Sequence, residues 1–397
     1  MPHWLDDAQQ ARYAEFKEFV RSNVEPFADD WEREQTLSKA ALTQLAASGW
    51  LGATLPVQHG GKGWDAVTFG LLNEAFGKGS PSLTSVLTVQ AMHAMAIVRW
   101  GTREQKSKWL PPLASGERIA AFALTEPGAG SDLNALTTRY TRPTGSDSLR
   151  LNGVKRWITC AQIADVFLVF GKLDEQPIAC IVPRESPGLS VEPIRELMGF
   201  RAAGLGVVTF RDVEVPLANV VGKPGFGFSH VAPVGLHYGR ISTACHALGM
   251  LRGCVEQSVS YAARRKIGER PVGEFGMIRT LIAKMATDLQ AATHLCLSAC
   301  RSEDEHAADA FEDAFVAKYF ASRAAVSAAS DAVQIMGAAG VHESSPTSRY
   351  YRSSKITEII EGTTQIHEDL LGKMILGRSG MVAKSATKPP AKSQGVS

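Results

Sequence analysis

The hydrophobic period of this chain changes twice along its length, and that change limits the folds open to it. Across residues 6–116, apolar side chains recur at three- and four-residue steps, as in Tyr13, Phe16, Phe19 and Val20 or Leu42, Leu45 and Ala46. That spacing lines one face of an α-helix. His59-Gly60-Gly61 and Gly79-Ser80-Pro81 break the pattern between stripes. Near Ile119 the texture switches. Residues 149–216 carry short runs rich in Val, Ile, Phe and Thr, notably 165–170, 178–182 and 207–215, with Gly and Pro at short intervals. These predict a small antiparallel β domain. The long helical crossovers of a parallel βαβ sheet are missing, which disfavours a Rossmann unit. After Gly227 the helical period returns and lasts to about Leu376, with stretches 241–263 and 277–301 long enough for a bundle.

The expected organisation is a helical domain over 1–118, a β domain over 119–227 and a helical bundle over 228–380. Residues 381–397 have Lys, Pro and Ser but little to bury, and read as a disordered tail. A chain of 397 residues exceeds one ordinary core. Its 45% hydrophobic and 21% charged residues suit a soluble globular protein. A net charge of +2 gives no broad pull toward nucleic acid.

Cysteines 160, 180, 245, 254, 296 and 300 show no CxxC spacing. This argues for a reducing compartment and against a metal cluster. Cys296 and Cys300 share a helix face and read as buried structural thiols. The N-terminal MPHWLDDAQQARY lacks the apolar core of a secretory signal. No run of about 18 apolar residues suggests a membrane span. The expectation is a cytoplasmic protein without a membrane partner.

Three motifs carry chemistry. LTEPGAGSD, residues 124–132, forces a turn at Pro127, Gly128 and Gly130 beside Thr125, Ser131 and Asp132. Exposed N–H groups and hydroxyls suit a polar or phosphorylated ligand, although a plain capped glycine turn has the same composition. Trp157-Ile158-Thr159 follows a strand pattern. The Trp is ordinarily a core anchor, or it covers a flat cofactor with Thr159 as a hydrogen-bond donor. Residues 356–366, ITEIIEGTTQI, place Glu358 and Glu361 three apart among apolar neighbours.

These motifs at this spacing resemble the acyl-CoA dehydrogenase family of flavoproteins. QHGGKG at 58–63, MGFRAAGLGVVTFRDVEVPLANVVG at 198–222 and AVQIMGAAGV at 332–341 match in the same order. The resemblance spans residues 8–377. It implies an α+β, mostly α fold of N-terminal helical domain, middle β-barrel and C-terminal four-helix bundle. It also implies FAD bound between barrel and bundle, completed by a neighbouring subunit of a homodimer or homotetramer. Phe122, Leu124, Thr125, Gly130 and Ser131 correspond to residues lining the flavin, and Trp157, Ile158 and Thr159 to those covering its other side. Arg265 matches the arginine that reaches the partner's FAD pyrophosphate, where a guanidinium fork suits phosphate. Gln334 and Gly337 match contacts to the neighbour's adenosine end. Thr363 and Gln365 match flavin contacts after the catalytic Glu.

The resemblance further implies removal of the α-proton of an acyl thioester by a carboxylate, with β-hydride transfer to flavin N5. Glu361 is the expected base. Ile359 and Ile360, with no Lys or Arg directly beside it in sequence, suggest desolvation and a raised pKa. The Gly362 N–H corresponds to the donor to the thioester carbonyl. Some family members place the base just before a retained arginine. Here that position is Gly239, before Arg240, and glycine cannot act. Glu358 reads as a structural charge. Ser131, His237, Arg240 and Gly362 are the expected substrate contacts.

Three departures stand out. Arg265-Lys266-Ile267-Gly268 lacks the family's Phe, and Gly276 replaces its usual Gln, so a looser FAD is expected. His237 occupies a position where CoA-using members often carry Asp. ITCAQIADVFLVFGK and GFGFSHVAPVGLHYGR look more like members tied to polyketide or nonribosomal-peptide pathways. The expected substrate is therefore tethered to an acyl carrier protein. Acyl-CoA oxidation in fatty-acid or branched-chain amino-acid catabolism is the rival. An electron-transfer flavoprotein is the expected acceptor, with an O₂-using oxidase as the alternative. A non-catalytic thioester-binding protein is opposed by Glu361 and the flavin motifs. Lys384, Lys388 and Lys392 could attract an acidic carrier protein, but suit a solubilising tail better.

Overall fold

The computed structural model describes residues 4–378. The tail expected over 381–397, with its three lysines, lies outside the described residues. Six helices come first: α1 (Asp7–Asn23), α2 (Ala28–Glu34), α3 (Lys39–Ser48), α4 (Ala66–Gly79), α5 (Pro81–Trp100) and α6 (Arg103–Ser115). Asp6 and Gln9 close a capping box at the start of α1. Its apolar stripe buries Tyr13, Phe16 and Val20 as the spacing predicts. Phe16 and Phe19 both meet the Trp50 ring edge-on. Ser80 caps α5 and Pro81 starts it, so the Gly-Ser-Pro break is a corner between two buried helices. By length and composition α5 could cross a membrane, contrary to the sequence expectation. However, 89% of its apolar window is buried inside the fold, as in a core helix.

Seven strands follow: β1 (Ala120–Ala123), β2 (Arg139–Thr141), β3 (Ser148–Ile158), β4 (Val166–Leu173), β5 (Gln176–Pro183), β6 (Leu189–Pro193) and β7 (Gly206–Pro216). The sheet is mixed rather than antiparallel throughout. β1 and then β2 run parallel to β4 along one of its edges, while β5 pairs antiparallel on the other. The 124–138 segment leaves the sheet after β1 instead of turning back as a hairpin, which permits the parallel pairing. β3 joins β2 to β7, and β7 holds β6, all antiparallel. The barrel of the resemblance takes the form of a curled sheet. Ala121, Tyr140, Leu151, Phe167, Ile178 and Phe210 come from strands across it and share one core.

The second helical part comprises α7 (Ala232–Arg264), a short hairpin of β8 (Lys266–Ile267) and β9 (Arg270–Pro271), α8 (Gly276–Asp304), α9 (Ala310–Met336), α10 (Ala338–Val341), α11 (Pro346–Thr357) and α12 (Thr364–Arg378). The 33-residue α7 is the hub, packing on α4, α5, α8, α9 and α11. A Cβ added at Gly249 would lie 2.0 Å from the Glu74 carbonyl, so α7 and α4 meet backbone to backbone. Ser242 donates to Asn73 at 2.6 Å and shares a 2.6 Å hydrogen bond with Thr88, tying α7 to α4 and α5. All six cysteines are buried, and Cys300 lies 3.8 Å from Cys245 in the bundle core. The Phe122 ring of β1 packs against the backbone of Gly235 near the start of α7. That contact sets the LTEPGAGSD loop beside the bundle.

Candidate active site

α11 ends at Thr357 and α12 begins at Thr364. The turn between them carries two consecutive positive φ angles, 55° at Glu361 and 101° at Gly362. A non-glycine residue held there is strained, and such strain persists only where the surroundings enforce it. Glu358 is spent on an ion pair with Lys355 one turn back, as a structural charge would be. Glu361 projects instead toward α7. A Cβ added at Gly239 would sit 2.5 Å from Glu361 Oε2 and 3.0 Å from Met92 Sδ. Gly239 is thus more than a base position left empty: its bare Cα makes the room that the Glu361 carboxylate fills. Oε2 is shielded from solvent and has no hydrogen-bond partner among the described residues.

Burial pushes the Glu361 pKa up to about 7, although Arg240 and Lys318 both pull it down. The sequence expectation of a base free of nearby cations is therefore corrected. Its chain neighbours are apolar, but α7 and α9 each deliver a cation, and desolvation outweighs both. The cations engage the backbone of the turn. Arg240 Nε donates to the Glu361 carbonyl at 3.3 Å, with its guanidinium 4.2 Å over the Phe315 ring. Lys318 Nζ donates to the Gly362 carbonyl at 2.6 Å. His367 Nε2 lies 3.3 Å from the Glu361 carbonyl. Burial, with the two cations, holds His367 neutral with its pKa pushed down to about 3, so its Nε2–H is the donor. The Gly362 N–H makes no hydrogen bond among the described residues.

Neither Lys318 nor His367 was anticipated from sequence. Lys318 did leave a trace. It falls among Ala314, Ala317 and Ala321, the buried face of α9, where a lysine needs a reason. His237 differs from expectation. It is buried, its Nε2 lies 2.8 Å from Glu303 Oε2, and its ring stacks on Phe311 at 4.3 Å. Tyr238 donates to the other Glu303 oxygen. This knot binds α7 to the end of α8 and the start of α9, and His237 Nδ1 has no partner among the described residues. His237 is engaged in helix packing about one turn from Arg240.

The other wall is built on β1 and β3. Phe122 and Leu124 are buried, Thr125 is half-buried, and Gly130 and Ser131 are exposed. Glu126 anchors this loop. One carboxylate oxygen accepts from the Thr137 amide and hydroxyl, and the other from the Thr138 amide and from Lys155 Nζ at 2.8 Å. Lys155 also donates to the Leu124 carbonyl, and both side chains of the ion pair are buried. Burial would raise the Glu126 pKa, but Lys155 and these hydrogen bonds hold it down at about 2. Two residues further along β3 the register with β7 shifts. The bulge turns Trp157 outward at φ 63°, leaving the ring 47% exposed. The usual reading of a Trp as core is overturned for that reason. Ile158 takes the interior place, so its side chain belongs to the sheet core and only its backbone can face a ligand. Thr159 is half-buried. An exposed indole held in strained backbone, next to a loop of open glycines and hydroxyls, fits a flat heterocycle with a phosphate tail, as in FAD.

Arg265, Gln334 and Gly337 line a separate cavity of about 510 Å³ with Phe275 and Met336. Gln334 lies roughly 24 Å beyond Lys318 along α9, from the helical rise. Within one chain these three do not meet the residues around Glu361. Ile267 beside them is exposed, and a Cβ added at Gly276 would meet only the Arg279 guanidinium, at 4.0 Å, among the described residues. Thr363 and Gln365 lie directly after the strained turn, with Gln365 exposed.

Residues 6–117, 121–213 and 226–376 match the models of the acyl-CoA dehydrogenase N-terminal, middle and C-terminal domains. An acyl-CoA dehydrogenase of Bacillus subtilis is 35% identical, covering 91% of this chain and 96% of its own. The structure of butyryl-CoA dehydrogenase from Megasphaera elsdenii superposes with a TM-score of 0.91 at 30% identity, covering 95% of this chain and all of that one. The prolyl acyl carrier protein oxidase AnaB superposes with a TM-score of 0.87 at 25% identity, covering 94% and 99%.

Replacing Lys155 by Met strands Glu126 as a buried charge. We expect Lys155→Met to lower the unfolding free energy by about 3–5 kcal/mol in a urea titration, the usual loss for a broken buried pair. A loss under about 1 kcal/mol would mean that the Thr137 and Thr138 bonds hold the loop without the lysine.

Proposed function

This chain belongs to the acyl-CoA dehydrogenase family, an FAD-dependent acyl-thioester dehydrogenase, and from that premise we propose that Glu361 is its base and that its substrate is tethered to an acyl carrier protein. The observation that carries the base assignment is the Glu361 carboxylate seated on the bare Cα of Gly239. The α-proton of a thioester is a weak acid. A base with its pKa raised to about 7 stands nearer to it than an ordinary carboxylate, yet is still ionised in mildly alkaline solution. The Gly362 N–H is assigned to the thioester carbonyl, where a fixed donor stabilises charge developing on the oxygen. Bound FAD supplies the hydride acceptor. Phe122, Thr125, Gly130 and Ser131 are assigned to one side of it, and Trp157 with Thr159 to the other. Met92 Sδ shares with the carboxylate the space beside the bare Gly239 Cα.

Arg265, Gln334 and Gly337 are assigned to the FAD of a second copy, because the ends of α7 and α9 that carry them lie far from Arg240 and Lys318 on the same helices. A homodimer or homotetramer follows. A light-scattering mass of one chain for FAD-saturated protein would contradict it.

Likeness to AnaB, named as acting on a carrier-protein substrate, supports the tethered handle. Closer likeness to the Bacillus subtilis and Megasphaera elsdenii enzymes supports the CoA reading. The two share the pantetheine arm, so the active site treats them alike. Electrons are proposed to leave to an electron-transfer flavoprotein. AnaB, being named an oxidase, favours O₂ as the second reading.

Glu361→Gln is expected to keep FAD while turnover falls by about 10²–10⁴-fold, the usual contribution of a general base. In the parent enzyme kcat/KM should rise with pH through about 7, as the carboxylate ionises. Near-normal turnover in the Gln variant removes Glu361 from the role. Matched acyl-CoA and acyl-carrier-protein thioesters, screened for anaerobic flavin bleaching, separate the handles. Faster bleaching by the carrier-protein series is expected, and preference for CoA would overturn that half of the proposal. Stoichiometric peroxide in air would mark the oxidase instead.

A further inference from the structure

We propose that Lys318 is a positioning residue for the base: its buried ammonium pins the Gly362 carbonyl and, through its charge, holds Glu361 ionised from behind the turn. The proposal rests on the reading of Glu361 as the base. Lys318 is fully buried in the middle of α9, on a face made mostly of alanines with Phe315 and Ser322 one turn to either side. Its Nζ donates to one neutral carbonyl and forms no ion pair among the described residues. Burying an ammonium with one neutral acceptor is costly, and an apolar side chain of similar length would suit that alanine face better. The cost makes sense only if the charge acts on something.

The charged and titratable groups facing it are few. Glu361 on the turn and Glu358 at the end of α11 favour its charged form, while burial and Arg240 on α7 oppose it, leaving Lys318 pushed down to about 7. His367 on α12 is held neutral. Among the described residues, Glu361 in turn faces the cations Arg240 and Lys318. Base and lysine therefore stabilise each other's charged forms, so their protons are coupled. Arg240 holds the Glu361 carbonyl and Lys318 the next carbonyl along. Together they fix both peptides of the strained turn from opposite helices.

A purely structural lysine would leave the proton affinity of Glu361 alone, and that separates the two roles. The FAD-loaded protein is titrated by infrared difference spectroscopy, following the carboxyl C=O stretch that Glu361→Gln removes. In the parent enzyme the band should titrate near pH 7. Lys318→Met should move the midpoint up by about one unit, the scale of losing one nearby opposite charge. Lys318→Arg should return it toward the parent value. Lys318→Gln, which retains a donor but no charge, should shift it as Met does, and decides the matter if the Met variant does not fold. Folding is checked by retained flavin absorbance and a cooperative thermal transition. A midpoint unchanged or lowered in folded Lys318→Gln overturns the assignment. The band reports the proton on Glu361 whether or not Glu361 performs the chemistry, so failure here is distinct from failure of the base assignment.

Discussion

The structure turns on one contact, the Glu361 carboxylate against the bare backbone of Gly239. A carboxylate out of water favours its protonated form, and two buried cations favour its ionised form. The balance falls near neutrality, where a base for a weak carbon acid is useful. Neither influence would serve alone. Desolvation without the cations would leave the carboxyl protonated, and cations in salt-bridge contact would leave a weak base. Arg240 and Lys318 avoid direct pairing by bonding to carbonyls of the same turn.

That contact accounts for much of the architecture around it. Gly239 must stay at a fixed height on α7, and α7 is the helix that all the major neighbours grip. The backbone-close crossing with α4 and the Ser242 hydrogen bonds to α4 and α5 hold it from one side. The His237–Glu303 knot with Phe311 holds it from the other. Glu361 and Trp157 are two of the non-glycine residues that take a left-handed backbone, at φ 55° and 63°. One directs the Glu361 carboxylate toward Gly239, and the other turns an indole out of its sheet.

Much of this was legible in the sequence, and the remainder has physical reasons for being hidden. The switch from helical to β period and back reports local apolar spacing, which survives folding wherever one face of an element is buried. The expectation that Glu361 rather than Glu358 is the base rests on the family resemblance, in which Gly239 occupies the other position a base can take. What escaped depended on contacts between distant elements. Arg240 and Lys318 are 78 positions apart, yet both bond the Glu361–Gly362 turn. His237 was read as facing a substrate handle because Glu303, its partner, lies on another helix. Trp157 and Ile158 exchanged places because of a one-residue bulge, which strand alternation does not foresee. The sheet read as antiparallel because closely spaced strand runs ordinarily pair as hairpins, and the parallel partner of β4, β1, lies more than forty residues before it.

The central claim is tested most directly by the structure of the FAD-loaded assembly with an unreactive acyl thioester bound. The account predicts a Glu361 carboxylate oxygen about 3–3.5 Å from the thioester α-carbon, with the carbonyl oxygen on the Gly362 N–H. A different carboxylate at the α-carbon, or a Glu361 side chain turned away from Gly239 with ligand bound, would contradict it.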